Sequence, residues 1–180
     1  MTPGLQSARN WLIGLIAVGT LAGCSSNDTF EEPSPLPEIE STVWLDEVWD
    51  MSIGDGDNDQ LLFLQPVISN GVLFAVSEDG ELVAVDPKTG DEKWERGLDR
   101  SILAGVGADD DRLYVSTRAG ELLGLSREDG SEQWSVSLPS EILAPPQSNG
   151  STVVAQTIDG KALAFDAQTG EKRWQYDGVI

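Results

Sequence analysis

The stretch Val72-Leu73-Phe74-Ala75-Val76-Ser77-Glu78-Asp79-Gly80-Glu81-Leu82-Val83-Ala84-Val85-Asp86-Pro87-Lys88-Thr89-Gly90-Asp91-Glu92-Lys93-Trp94 decides how the chain folds. Val72–Val76 is apolar at every position, as in a strand covered on both faces. Asp79-Gly80 then supplies a tight hairpin, and 81–85 is a second apolar run. Asp86-Pro87-Lys88-Thr89-Gly90 predicts another turn: Asp caps it, Pro presets φ and Gly takes the left-handed corner. Residues 92–96 read as an outer strand with a single large side chain, Trp94.

Outward from this stretch the same phrase recurs. Trp94, Trp134 and Trp174 stand 40 residues apart, as do Gly80, Gly120 and Gly160, and Gly90, Gly130 and Gly170. Ile102-Leu103-Ala104 returns as Ile142-Leu143-Ala144, with Leu62-Phe63-Leu64 in phase. Three markers in register over three copies make the repeat the organising feature. Leu61–Leu64 leads the first unit, followed by a turn at Ser69-Asn70-Gly71. The second unit has strands at 112–117 and 121–125, and the third at 152–157 and 161–165. Four short strands per roughly 40 residues, with turn glycines at fixed phase, describe an all-β protein built of β-propeller blades. The expected blades are 61–98, 101–138 and 141–178. Three cannot close a ring, and an eight-bladed ring needs about 320 residues. The expected form is therefore an open arc, the N-terminal part of a longer protein. Val48-Trp49-Asp50-Met51-Ser52-Ile53 predicts one more outer strand, 43–53, completing a last blade near the C-terminus.

The composition sets limits on function. The chain has 180 residues, with 11 basic against 31 acidic side chains, a net charge of −20, one Cys and no His. Nucleic-acid binding needs clustered Lys and Arg and is not expected. A lone cysteine excludes an intramolecular disulfide and a Cys-based zinc site, and the missing histidine excludes a Ser-His-Asp triad. Asp55, Asp57 and Asp59 have the spacing of the first ligands of a calcium loop. Gln60 stands where that loop needs Gly, however, and Pro66 where it needs Glu. Asp109-Asp110-Asp111 reads as a solvated turn. No metal, cofactor or catalytic residue is expected.

The N-terminus reads as an address. An apolar run of 12 residues, Trp11 to Ala22, ends in Leu21-Ala22-Gly23-Cys24. The run is too short to span a membrane and suits a signal peptide, 1–23. Residues 24–43 form an acidic tether in which Pro33, Pro35 and Pro37 alternate. Such a segment buries little and stays extended.

Four resemblances follow from these residues. Leu21-Ala22-Gly23-Cys24 resembles the lipobox of bacterial lipoproteins, implying cleavage between Gly23 and Cys24 and acylation of Cys24. Ser25 resembles the signal for transfer to the outer membrane. A small residue, a turn glycine and a tryptophan recur as Ala84, Gly90, Trp94, as Gly124, Gly130, Trp134 and as Ala164, Gly170, Trp174. This resembles the docking motif of quinoprotein (PQQ-like) propellers, which implies that each indole lies over the neighbouring blade's turn. Quinone dehydrogenases of that architecture also use a closed ring and a calcium site, and many carry paired cysteines, none of which is evident here. The whole set, including Ser34-Pro35-Leu36-Pro37 and the strand from Trp49 to Gly54, resembles the propeller lipoproteins of the outer-membrane β-barrel assembly machinery. That resemblance implies a non-enzymatic scaffold, lipid-anchored on the periplasmic face of the outer membrane. It would bind the barrel-forming subunit and help to present nascent barrel proteins. A periplasmic sensor or ligand-binding propeller, or a quinone-dependent dehydrogenase fragment, are the alternatives.

Overall fold

The computed structural model describes residues 34, 43–56, 63–142 and 144–178. The chain divides into two units, 1–44 and 45–180, and the fold below is that of the second. Among the described residues, thirteen strands form three sheets, antiparallel except where β1 (Phe63–Leu64) joins the second. The first contains β2 (Val67–Ser69), β3 (Val72–Val76), β4 (Glu81–Val85) and β5 (Glu92–Gly97). The second contains β6 (Ile102–Ala108), β7 (Arg112–Thr117), β8 (Glu121–Ser126) and β9 (Glu132–Ser137). The third contains β10 (Gln147–Ser148), β11 (Thr152–Gln156), β12 (Lys161–Asp166) and β13 (Lys172–Asp177). Within each sheet the strands neighbour one another in chain order, as in a propeller blade. These sheets form an open arc of three blades within the second unit.

The uninterrupted apolar runs have a direct explanation in the packing. Side chains alternate across a strand, and each face of the middle blade meets a different neighbour. Leu113, Val115, Leu123 and Leu125 join Phe74, Val76 and Leu82 of the first blade in one core. Tyr114, Leu122 and Trp134 point the other way and join Val153, Leu163 and Phe165 of the third blade in a second. The middle blade is therefore apolar at successive residues because it serves two cores.

The outer strands share an irregularity. Trp94 pairs with Ala84 but Glu92 pairs with Val85, leaving Lys93 as the extra residue of a bulge. The same slip occurs at Gly124/Leu125 and at Ala164/Phe165. A bulge bends and twists its strand, and here it does so beside each blade's tryptophan.

Two strand expectations are corrected. Phe63–Leu64 (β1) does not lead the first blade but runs parallel to β6 on the inner edge of the second, with Phe63 opposite Ala104. The inner strand of the first blade is β2. Asn70 and Gly71, at φ 46° and 73°, form a two-residue hairpin that sets Ser69 against Val72. Pro66, which lacks an N–H, separates β1 from β2. Gln65 carries the parallel pairing onward, donating to Gly105 O at 2.6 Å and accepting from Val106 N at 2.9 Å. Residues 43–53, expected as an outer strand, form no strand. An outer strand exists only against a ladder partner, and among the described residues none lies alongside. In the third blade the inner strand shrinks to an isolated Ile142–Thr157 bridge and then β10. Pro145 and Pro146 remove two donors between them.

Candidate functional site

The seams between blades are where the repeated residues converge. Each turn after an inner sheet strand closes through its glycine: Gly90 N donates to Asp86 O at 2.8 Å, Gly130 N to Ser126 O at 2.9 Å and Gly170 N to Asp166 O at 2.9 Å. The capping residue holds the next backbone donors, with Lys88 N bonded to Asp86 Oδ1 at 2.9 Å and Gln168 N to Asp166 Oδ1 at 2.8 Å. Arg173 adds to the last of these caps, and its hydrogen bond, followed by those from Thr169 and Gln168, lowers the Asp166 carboxyl to about 2.

On these turns the indoles lie. A Cβ on Gly170 would sit 2.8 Å from Cε3 of Trp134, and one on Gly130 would sit 2.9 Å from Cζ3 of Trp94. Trp134 Nε1 donates to Ala167 O of the third blade at 3.0 Å. Trp49 occupies the matching position on the first blade: a Cβ on Gly90 would meet its Cδ2 at 2.8 Å, and its Nε1 donates to Pro87 O at 3.1 Å. Trp174 has no turn beside it among the described residues and is 47% exposed, next to Tyr176 at 65%. Ala84, Gly124 and Ala164 stand opposite Trp94, Trp134 and Trp174 in the strand register. Cys24 and Gly23 lie outside the described residues.

The three docking contacts are not alike. Trp49 and Trp134 lie flat and donate to the carbonyl after the capping residue, whereas Trp94 finds no acceptor among the described residues. The methyl group of Ala84 stands where Gly124 leaves bare backbone under Trp134. Arg127 occupies the turn position held by Pro87 and Ala167 elsewhere. Its guanidinium lies over the Phe74 ring, 4.8 Å from the centroid. Its Nη1 donates to Ser69 Oγ at 2.9 Å and to Asp109 O at 2.7 Å, and its Nη2 donates to Ser69 O. Beside Trp94 the seam opens into a cleft of about 660 Å³.

Asp109 continues this linkage into the third blade. Its Oδ1 accepts from Asp111 N at 3.0 Å and Arg112 N at 2.8 Å. Its Oδ2 accepts from Tyr114 Oη and Ser148 Oγ, each at 2.6 Å. Burial pushes this carboxyl upward, but the hydrogen bonds from Ser148, Tyr114 and the two backbone donors outweigh it and hold Asp109 below its ordinary value. Burial and the same carboxylate raise Tyr114. Ser69, Arg127, Asp109 and Ser148 thus tie three blades together through polar contacts. Read as a solvated turn, Asp109 is instead half-buried at a junction, and only Asp110 and Asp111 are exposed. Nothing local in the sequence marks Arg127; its departure from the repeat was the available signal.

Of the candidate calcium ligands, Asp55 alone falls within the described residues, and its neighbour Gly54 donates to Glu81 Oε2 at 3.1 Å. Among the described residues no group of three or more His, Cys, Asp or Glu could hold a metal ion. Nor is any helix there long and apolar enough to cross a membrane.

Four-stranded blades joined by indole-on-glycine seams define a propeller of the tryptophan-docked type. The family model for the outer membrane protein assembly factor BamB matches residues 46–103 and 78–179, and the chain belongs to that family. It is 51% identical over 105 residues to the BamB of Marinobacter adhaerens, covering 58% of this chain and 27% of that protein. With the BamB of Pseudomonas aeruginosa it is 35% identical over 88 residues, covering 48% of this chain and 23% of that protein. The chain thus spans about a quarter of the length of these relatives. The crystal structure of BamB from Moraxella catarrhalis superposes with a TM-score of 0.58 at 30% identity, covering 64% of this chain and 36% of that one. A quinohemoprotein alcohol dehydrogenase from Pseudomonas putida HK5 gives 0.57 at 21% identity, covering 69% of this chain and 22% of that one. This second likeness is one of fold.

Proposed function

We propose that the chain is the N-terminal part of a non-enzymatic scaffold lipoprotein that assists assembly of β-barrel proteins into the outer membrane. The family match across 46–179 carries this reading. The protein is cleaved before Cys24, acylated there and held on the periplasmic face of the outer membrane. The acidic tether, 24–43, spaces the blades from the lipid. The scaffold binds the barrel-forming subunit of the machinery, and nascent barrel proteins pass along it. An arc of blades joined by docked indoles and polar ties suits such work, because it presents the rim loops of successive blades side by side.

The test is in cells. Removal of the full-length protein should lower the amount of folded barrel proteins in the outer membrane, and affinity purification should recover the barrel-forming subunit with it. Cys24→Ala should leave the precursor uncleaved and displaced from the outer membrane. Unchanged barrel-protein levels with no recovery of that subunit would overturn the assembly role, and an unmodified Cys24 in membrane-purified protein would overturn the anchor.

A further inference from the structure

We infer that the cleft between the first and second blades is a binding site for an extended peptide that offers an apolar side chain and, two residues on, a single carboxylate. The inference concerns this cleft alone and stands apart from the assembly role.

The cleft exists because one seam is built differently. At the other docking contacts the indole lies flat and its N–H is satisfied by the turn carbonyl. Here the Ala84 methyl fills the space that Trp134 uses over Gly124, Gly130 is covered by Trp94 together with Arg96, and a space of about 660 Å³ is left. Half-buried Trp94 gives it an apolar wall, with the Phe74 ring, 6.0 Å away between centroids, buried behind it beneath the Arg127 guanidinium. Trp94 remains half-buried with an N–H that no described residue accepts.

The charges point to the ligand. In a chain of net charge −20, arginines are normally taken up by carboxylates, and Arg96, Arg100, Arg118 and Arg173 all are. Arg112 and Arg127 both line the cleft, and neither has a carboxylate within 4.0 Å among the described residues. Arg127 is occupied by Ser69 and Asp109 O. Arg112 is held only through Nε, which donates to Gln133 Oε1 at 2.9 Å, so its two terminal nitrogens are available. Lys93 lies on the same wall, 4.0 Å from Asp86. A guanidinium fork and an indole N–H beside an aromatic wall are donors awaiting an acceptor, and a carboxylate matches the fork best.

Extent and selectivity follow from the lining. Arg112 and Asp111 also line a second groove of about 280 Å³ that runs to Asp166 and Arg173 of the third blade. A track crossing two seams fits an extended chain better than a compact molecule. On an extended chain residues two apart face the same way, which sets the spacing of the apolar and acidic side chains. Asp110, Asp111 and Glu128 at the rim repel a run of negative charge, so the site takes one carboxylate with neutral or basic flanks.

The experiment is fluorescence anisotropy of a dye-labelled peptide, acetyl-Lys-Phe-Ser-Glu-Lys-amide, titrated with the intact protein. Saturable binding is expected. It should weaken about tenfold or more when the peptide Glu becomes Gln and again in Arg112→Ala, the range for a charge-assisted hydrogen bond. The single side-chain bond of Arg112 is exposed, so this variant should fold as the parent does. As a second variant, Ala84→Gly lets Trp94 lie flat, closes the cleft and weakens binding with Arg112 intact. Absence of saturable binding, equal affinity for the Gln peptide, or full affinity in both protein variants would overturn the proposal.

Discussion

Gly124 and Trp134 occupy the same space that a side chain would need. A Cβ on the glycine would overlap the indole Cε2 and lie 2.6 Å from Nε1. The closeness allows Trp134 to lie flat, reach Ala167 O and become buried, at 8% exposure. Gly124→Ala should therefore destabilise by roughly 1–3 kcal/mol, the usual cost of overpacking a core. Chemical denaturation checks this, and Trp134 fluorescence should show the ring moving outward.

The tryptophans should rank by what they cover. Trp134→Ala is expected to cost about 3–5 kcal/mol, as for other buried large-to-Ala changes. Trp174→Ala, at a position 47% exposed, should cost under about 1 kcal/mol in the 180-residue chain. Equal losses on thermal unfolding would contradict the docking account.

Arg127→Ala removes donors from Ser69 and from the carbonyl of Asp109 while uncovering Phe74. A loss of roughly 1–3 kcal/mol is expected. Hydrogen exchange should quicken at β2 as well as around Asp109, because the contact bridges two blades. Exchange confined to residue 127 and its neighbours would argue against a bridge.

Asp109 should give the fold an acid limit. Its pKa is lowered in the folded state, so its contribution is complete above the ordinary carboxylate range, near pH 4, and is lost as pH falls through the lower folded value. Asp109→Asn should be less stable at neutral pH and show a flatter decline between about pH 4 and pH 2. Parallel melting curves of parent and variant across that range would refute the assignment.

Trp174 and Tyr176 leave an apolar strip on the outer face of β13. The 180-residue chain should self-associate through it, since exposed apolar patches of this kind drive association. Sedimentation at rising concentration measures this, and Trp174→Ser with Tyr176→Ser should return the chain toward monomer. A parent chain that stays monomeric throughout would count against the strip.

What the sequence revealed was whatever the 40-residue period repeats. Strand order, the two turn types, the tryptophan phase and the apolar faces all follow from local chemistry copied three times. Exceptions to the period were harder to read. Phe63–Leu64 has the same phase as Leu103–Ala104, yet a proline and a two-residue hairpin send it to the neighbouring sheet, and that choice depends on a partner distant in sequence. Asp109 shares its turn chemistry with Asn149, whose Oδ1 also accepts backbone donors. Its second oxygen has a role that only the approach of Ser148 creates. Arg127 reads as an ordinary turn residue until the first blade is beside it.

The alternation in the middle blade has a further consequence for strand register. Successive residues of β7 and β8 feed opposite cores, so a slip by one position would exchange the contents of both seams at once. Tyr114 would be pressed on the first blade, and Leu113 and Val115 would be left too small for the space against the third. A sheet with one wet face can detect such an error only through that face's single core. The middle blade is proofread from both sides, and each seam rejects the misfold that the other would have to tolerate.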